Sequence, residues 1–171
     1  MGGTLKAGES VSRAAKAVQP RADAWAAVYH RLTGADPKAL SVAELEALAE
    51  AAFWLGKPRE SIAARQRAYA AYRDVGDVAK ATKTAWLLFH NYFDLNETAA
   101  ASGWLQRAHR HAEAIPDQVE SGYVALADSE WAAYQDDLDR ALECAVKATE
   151  TGQRFADPDL EGLGLATQAG S

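Results

Sequence analysis

The chain predicts an all-α fold, a solenoid of paired helices repeating about every 40 residues, and three observations carry that expectation. Residues 61–77 (SIAARQRAYAAYRDVGD), 101–117 (ASGWLQRAHRHAEAIPD) and 141–157 (ALECAVKATETGQRFAD) state one pattern at a fixed interval, and a period of roughly 20 to 50 residues is the mark of a solenoid. Apolar residues recur at helical spacing, while the period-two alternation of a strand is missing and β-branched residues are few. Composition agrees: 49% hydrophobic residues, 25% charged and only 5 prolines in 171 positions describe a globular, helix-rich chain.

The elements follow in order. Residues 1–20 read as a mobile tail, with no apolar stretch of the kind a secretory signal needs. The repeat domain spans 21–171, beginning with a helix at about 21–33 that stops at Gly34. The first unit covers about 41–76. Ser41-Val-Ala-Glu44 is a capping box, in which hydroxyl and carboxylate each satisfy an orphan backbone N–H. Its helix, about 42–55, sets Leu45, Leu48, Ala49, Ala52 and Leu55 on one face. Gly56 ends it, and Pro58 stands where a first helical turn tolerates proline, opening a helix at about 58–75.

The second unit, about 77–116, shifts the stripe by 40 to Ala85, Leu88, Phe89, Tyr92 and Leu95 on a helix at about 78–95, with a partner at about 97–114. Ser61, Ala101 and Ala141 are small where the second helix of each pair would cross the first. In the third unit, about 117–156, the apolar residues Val124, Ala127, Trp131 and Tyr134 stand one position early, and the turn Gln135-Asp136-Asp137 is expected to absorb the difference before a helix at about 138–155. Asp157-Pro158 then opens a terminal helix at about 158–168.

Helix pairs with small crossing residues, aromatic fillers and an end-of-unit cap resemble the tetratricopeptide repeat. The segments LAEAAFWLG (48–56), RAYAAYRDVGD (67–77), AWLLFH (85–90), ASGWLQRA (101–108) and FADPD (155–159) are similar to the ~40-residue repeats in LuxR-type and MalT-type transcriptional regulators. The resemblance covers about residues 40–160. It implies a right-handed solenoid of three units plus flanking helices, cytoplasmic, that works by binding: the sensory or scaffold arm of a regulator. The other parts of such regulators are missing here. The Gly56-Lys57 pair has Ala51 where a phosphate-binding loop needs glycine and Pro58 where it needs Ser or Thr. No basic recognition helix follows residue 140. Two readings stay open, a fragment of a longer regulator and a stand-alone protein capped by its seventh helix; the Met start and atypical first 40 residues favour a natural N-terminus.

Charge and chemistry narrow the functions. Lys and Arg number 18 against 24 Asp and Glu, net −6, and the basic residues are scattered, which speaks against direct nucleic-acid contact. No apolar run approaches the ~20 residues that span a bilayer. The single Cys144 excludes an internal disulfide and suits a reducing compartment. His109 and His111 are two apart and cannot share a metal from one helix. Asp136-Asp137-Asp139 lacks the glycine and distal glutamate of a calcium loop. No pairing of nucleophile and base is visible, so neither catalysis nor a cofactor is expected.

The tetratricopeptide pattern, mapped through Gly56, implies a concave binding face. Its residues would be Glu50, Phe53 and Trp54 (beside Glu46) in the first unit and Lys83, Trp86, His90, Phe93 and Asp94 in the second. The third unit would contribute Ala125, Ser129, Ala132 and Ala133 and little else, so the groove would be deepest between units one and two. Trp54 and Trp86 would anchor a protein or peptide segment, oriented by Glu50, Lys83 and His90. Trp104, on a second helix, is assigned to packing. Two alternatives stand beside this: a small effector held by aromatics and carboxylates, and homo-oligomerisation through Leu160, Leu163 and Leu165 of the C-terminal helix.

Overall fold

The computed structural model describes residues 22–170, which form eight α-helices and a short 3-10 turn, with no strand among the described residues. The order is α1 (22–33), the turn Pro37–Ala39, α2 (Val42–Trp54), α3 (Pro58–Asp74), α4 (Val78–Asp94), α5 (Thr98–Ala112), α6 (Glu120–Tyr134), α7 (Leu138–Phe155) and α8 (Pro158–Gly170). The tail expected over residues 1–20 lies outside the described residues.

Helix ends obey local chemistry. Five helices close with the same two bonds: Gly56, Gly76, Asn96, Asp136 and Ala156 sit at positive φ, and the amide after each reaches back to a carbonyl five residues earlier, as in Lys57 N to Ala52 O at 2.8 Å. Of these, Gly56, Asn96 and Asp136 are 40 residues apart. The N-termini are capped by Ser41, in a complete capping box with Glu44, and by Asp77, Asp137 and Asp157. Asp117, aligned with Asp77 and Asp157 in sequence, caps nothing; α6 starts three residues later, after Val119, without a side-chain cap.

The chain divides into two compact units, the first ending at Arg65 and the second beginning at Gln66, inside α3. In the first, the Ser61 hydroxyl on α3 donates to the Ala49 carbonyl on α2 at 2.8 Å, Arg31 of α1 lies 3.9 Å from Glu44, and the Tyr29 hydroxyl meets Glu60. In the second, α4 packs on α5 and α6, α6 on α7 and α8, and α7 on α8. There the Ser129 hydroxyl on α6 donates to the Ala141 carbonyl on α7 at 2.6 Å. Trp104 packs edge-on against Tyr69 with ring centroids 4.9 Å apart, as expected.

Three expectations are corrected. The third unit does not slip: α6 ends on Tyr134, 40 residues after Asp94, and Gln135 and Asp136 take the places of Leu95 and Asn96. Tyr134, read as part of the buried stripe, is 56% exposed. Leu160, grouped with Leu163 and Leu165 as a surface for homo-oligomerisation, is fully buried, whereas Leu163 and Leu165 are exposed.

Helices α7 and α8 approach through glycine. A Cβ on Gly152 would stand 2.5 Å from the Glu161 backbone nitrogen, and one on Gly164 would stand 2.9 Å from that of Thr149. Gly162, also on α8, faces open space. Gly152→Ala should therefore cost about 2–4 kcal/mol in urea unfolding, because backbone cannot yield as a side-chain tip can. Gly162→Ala should gain about 0.5–1 kcal/mol from helix propensity alone.

Candidate functional site

In the first unit, the last turn of α2 carries Glu50, Phe53 and Trp54. The Trp54 indole is 61% exposed, and its Nε1–H donates to Glu50 Oε1 at 2.9 Å. The guanidinium of buried Arg65 lies 3.5 Å from Glu50 Oε2 and 5.6 Å from the Phe53 ring centroid. Glu50 is thus held by two donors on its own unit.

In the second unit, Lys83, Trp86, His90, Phe93 and Asp94 run along α4, opposite residues of α6 that the sequence reading passed over. Trp86 is only 8% exposed; its ring packs against Tyr123 at 4.7 Å and edge-on against His90 at 4.8 Å. Among the described residues its Nε1–H is buried without an acceptor. Lys83 places its ammonium over the faces of Trp86 and Tyr123, a cation–π contact to both rings. Burial brings the Lys83 amine down to about 8, against the pull of Asp157, Glu120 and Asp159. The Tyr123 hydroxyl donates to Asp157 Oδ2 at 2.9 Å, and burial together with that carboxylate holds the phenol far above its ordinary range. Burial alone would raise Asp157, but hydrogen bonds from the Leu160 amide and Tyr123, and the charge of Lys83, bring it below the usual value.

One turn further, His90 Nδ1 lies 3.2 Å from Glu130 Oε2. Burial, with Asp94 nearby, raises the Glu130 carboxyl from 4.5 to about 7. Beyond them is an aromatic array: Phe93 stacks on Phe89 at 5.3 Å and meets Tyr134 edge-on at 5.6 Å, and Trp131 lies 5.6 Å from Tyr134. Phe93 and Trp131 are half-buried and Tyr134 is exposed. Exposed aromatic surface therefore comes from Phe93, Trp131 and Tyr134 rather than from Trp86. Ala125, Ser129 and Ala132 of α6 are buried, and Ala133 is exposed. The missed residues had a signal: Tyr123 and Glu130 stand 40 positions after Lys83 and His90.

His109 Nε2 bonds Asp128 at 2.7 Å, and that hydrogen bond raises its pKa, while the Tyr69 hydroxyl bonds His111 Nε2 at 2.9 Å; the two imidazoles serve different partners. Burial and then Asp128 push the Cys144 thiol up, the wrong direction for a nucleophile. Among the described residues no three His, Cys, Asp or Glu are placed to hold a metal, and no helix is long and apolar enough to cross a membrane.

Compared with models of known protein families and with curated proteins, the chain matches none.

Because Glu130 holds its proton more tightly folded than unfolded, its contribution to stability is full below pH 4.5 and is lost as pH rises to about 7. Glu130→Gln keeps a similar shape without the ionisation. Measured by urea unfolding, the wild type should lose about 2–3 kcal/mol relative to this variant across that window.

Proposed function

We propose that the chain is a non-enzymatic protein-interaction module, a right-handed tetratricopeptide-like solenoid of three helix-pair units with flanking helices. The 40-residue spacing of the Gly56, Asn96 and Asp136 turns supports the repeat. The observation that carries the binding role is the face formed by α4 and α6, where Phe93, Trp131 and Tyr134 leave aromatic surface open beside the His90–Glu130 pair. Rigid rings give apolar area at low entropic cost, and an imidazole beside a carboxyl offers a partner backbone directional polar groups. A protein or peptide segment laid along α4 would contact Phe93 and Tyr134 first, with Asp94 exposed beside them. The segments that resemble LuxR-type regulators support a place in transcriptional control; within a longer regulator or alone, the role of this face is the same.

A second reading, a small polar effector, is favoured by one observation: the buried Trp86 N–H without an acceptor. An effector oxygen reaching it would restore a hydrogen bond and raise the melting temperature.

The partner reading is tested by affinity capture from host extract on the intact chain and on a Phe93→Ala, Tyr134→Ala variant. A partner held by the intact chain should be retained at least about tenfold less by the variant, with circular dichroism unchanged; equal retention by both overturns the assignment.

A further inference from the structure

Helix α7 carries an apolar stripe that the described residues leave partly exposed. Leu138, Leu142 and Val146 recur one turn apart, and Leu138 and Leu142 are 55% and 45% exposed. The repeat provides an internal comparison: 40 residues earlier, α5 has Thr98, Ser102 and Gln106 at these positions. There Thr98 and Ser102 are half-buried and Gln106 is exposed, so the repeat has polar side chains where α7 exposes apolar ones. The flank next to the stripe is acidic. On a helical projection, Asp139, Glu143 and Glu150 stand together along one edge, all exposed, with Arg140 and Lys147 further round.

We infer that the Leu138–Leu142–Val146 stripe of α7 binds a basic amphipathic helix of another protein, its apolar residues on the stripe and its Lys or Arg residues on the acidic edge. Charge complementarity selects this occupant. A helix flanked by carboxylates would meet like charge, and a neutral one would leave the acidic edge unpaired. The stripe lies on a different helix from the aromatic face of α4 and α6 and stands independently of it.

The probe is a fluorescein-labelled peptide of about 18 residues, with leucine at helical i, i+4 spacing and lysine on one flank. Anisotropy should show saturable binding that weakens as salt is added. Affinity should fall about tenfold or more with Leu142→Glu, and likewise with Asp139→Lys, Glu143→Lys. A version with glutamate on the flank should not bind. Melting curves confirm that each variant is folded; should Leu142→Glu not fold, Leu138→Gln at the most exposed position carries the test. No binding by the intact chain, equal binding by the variants, or equal binding of a scrambled lysine peptide overturns the inference. So does a concentration-dependent mass in ultracentrifugation that Leu142→Glu abolishes, since the stripe is then covered by a second copy.

Discussion

Everything else in the fold depends on how closely paired helices cross. In each of the two compact units a serine hydroxyl reaches a carbonyl of the partner helix, Ser61 to Ala49 and Ser129 to Ala141, at 2.8 and 2.6 Å. Such a bond between helices is available only where the facing residues are no larger than alanine or serine. The small residues therefore occupy the crossings, and the large ones are displaced sideways. On α4 and α6 they accumulate as Trp86, Phe89, Phe93, Tyr123 and Trp131. The aromatic face is in this sense a by-product of tight pairing: bulk excluded from one interface collects at the next. The same logic continues at α7 and α8, where alanine is already too large and Gly152 and Gly164 bring the backbones closer.

Much of this was legible in sequence because the signals were local. A capping box, capping aspartates and a glycine in the left-handed region each need only a few neighbours, and except at Asp117 they placed helix ends within about two residues. The phase of α6 was misread for a physical reason. Gly122 to Ala127 are all buried, because the helix is packed by α4, α5, α7 and α8. A helix buried on nearly every side has no single stripe, so periodicity cannot set its rotation. The turn kept the register instead.

The residues along α4 were legible in sequence, and which of their rings stay exposed was not. Residue type put Lys83, Trp86, His90 and Phe93 on one face of α4, and together with Phe89 they form a chain of ring contacts. Which rings stay open depends on the opposing helix. Tyr123 closes over Trp86, whereas Phe93 meets the end of α6, where Tyr134 is the last helical residue and points into less crowded space. No pattern within α4 distinguishes these cases. Glu130 was invisible for a related reason: a lone glutamate reads as a solvated charge until burial and His90 are known.

The Asp157 carboxylate has a wider consequence. It accepts the Leu160 amide of α8 at 3.0 Å and the Tyr123 hydroxyl of α6 at 2.9 Å, within the field of Lys83 on α4. Terminal helices usually fray, since they hold few bonds that the rest of a protein needs. Here the opening of α8 would strand a buried phenol without its acceptor and take from Lys83 the carboxylate that most favours its charge. Opening α8 therefore carries the cost of disturbing α6, which couples the helix to its interior neighbours.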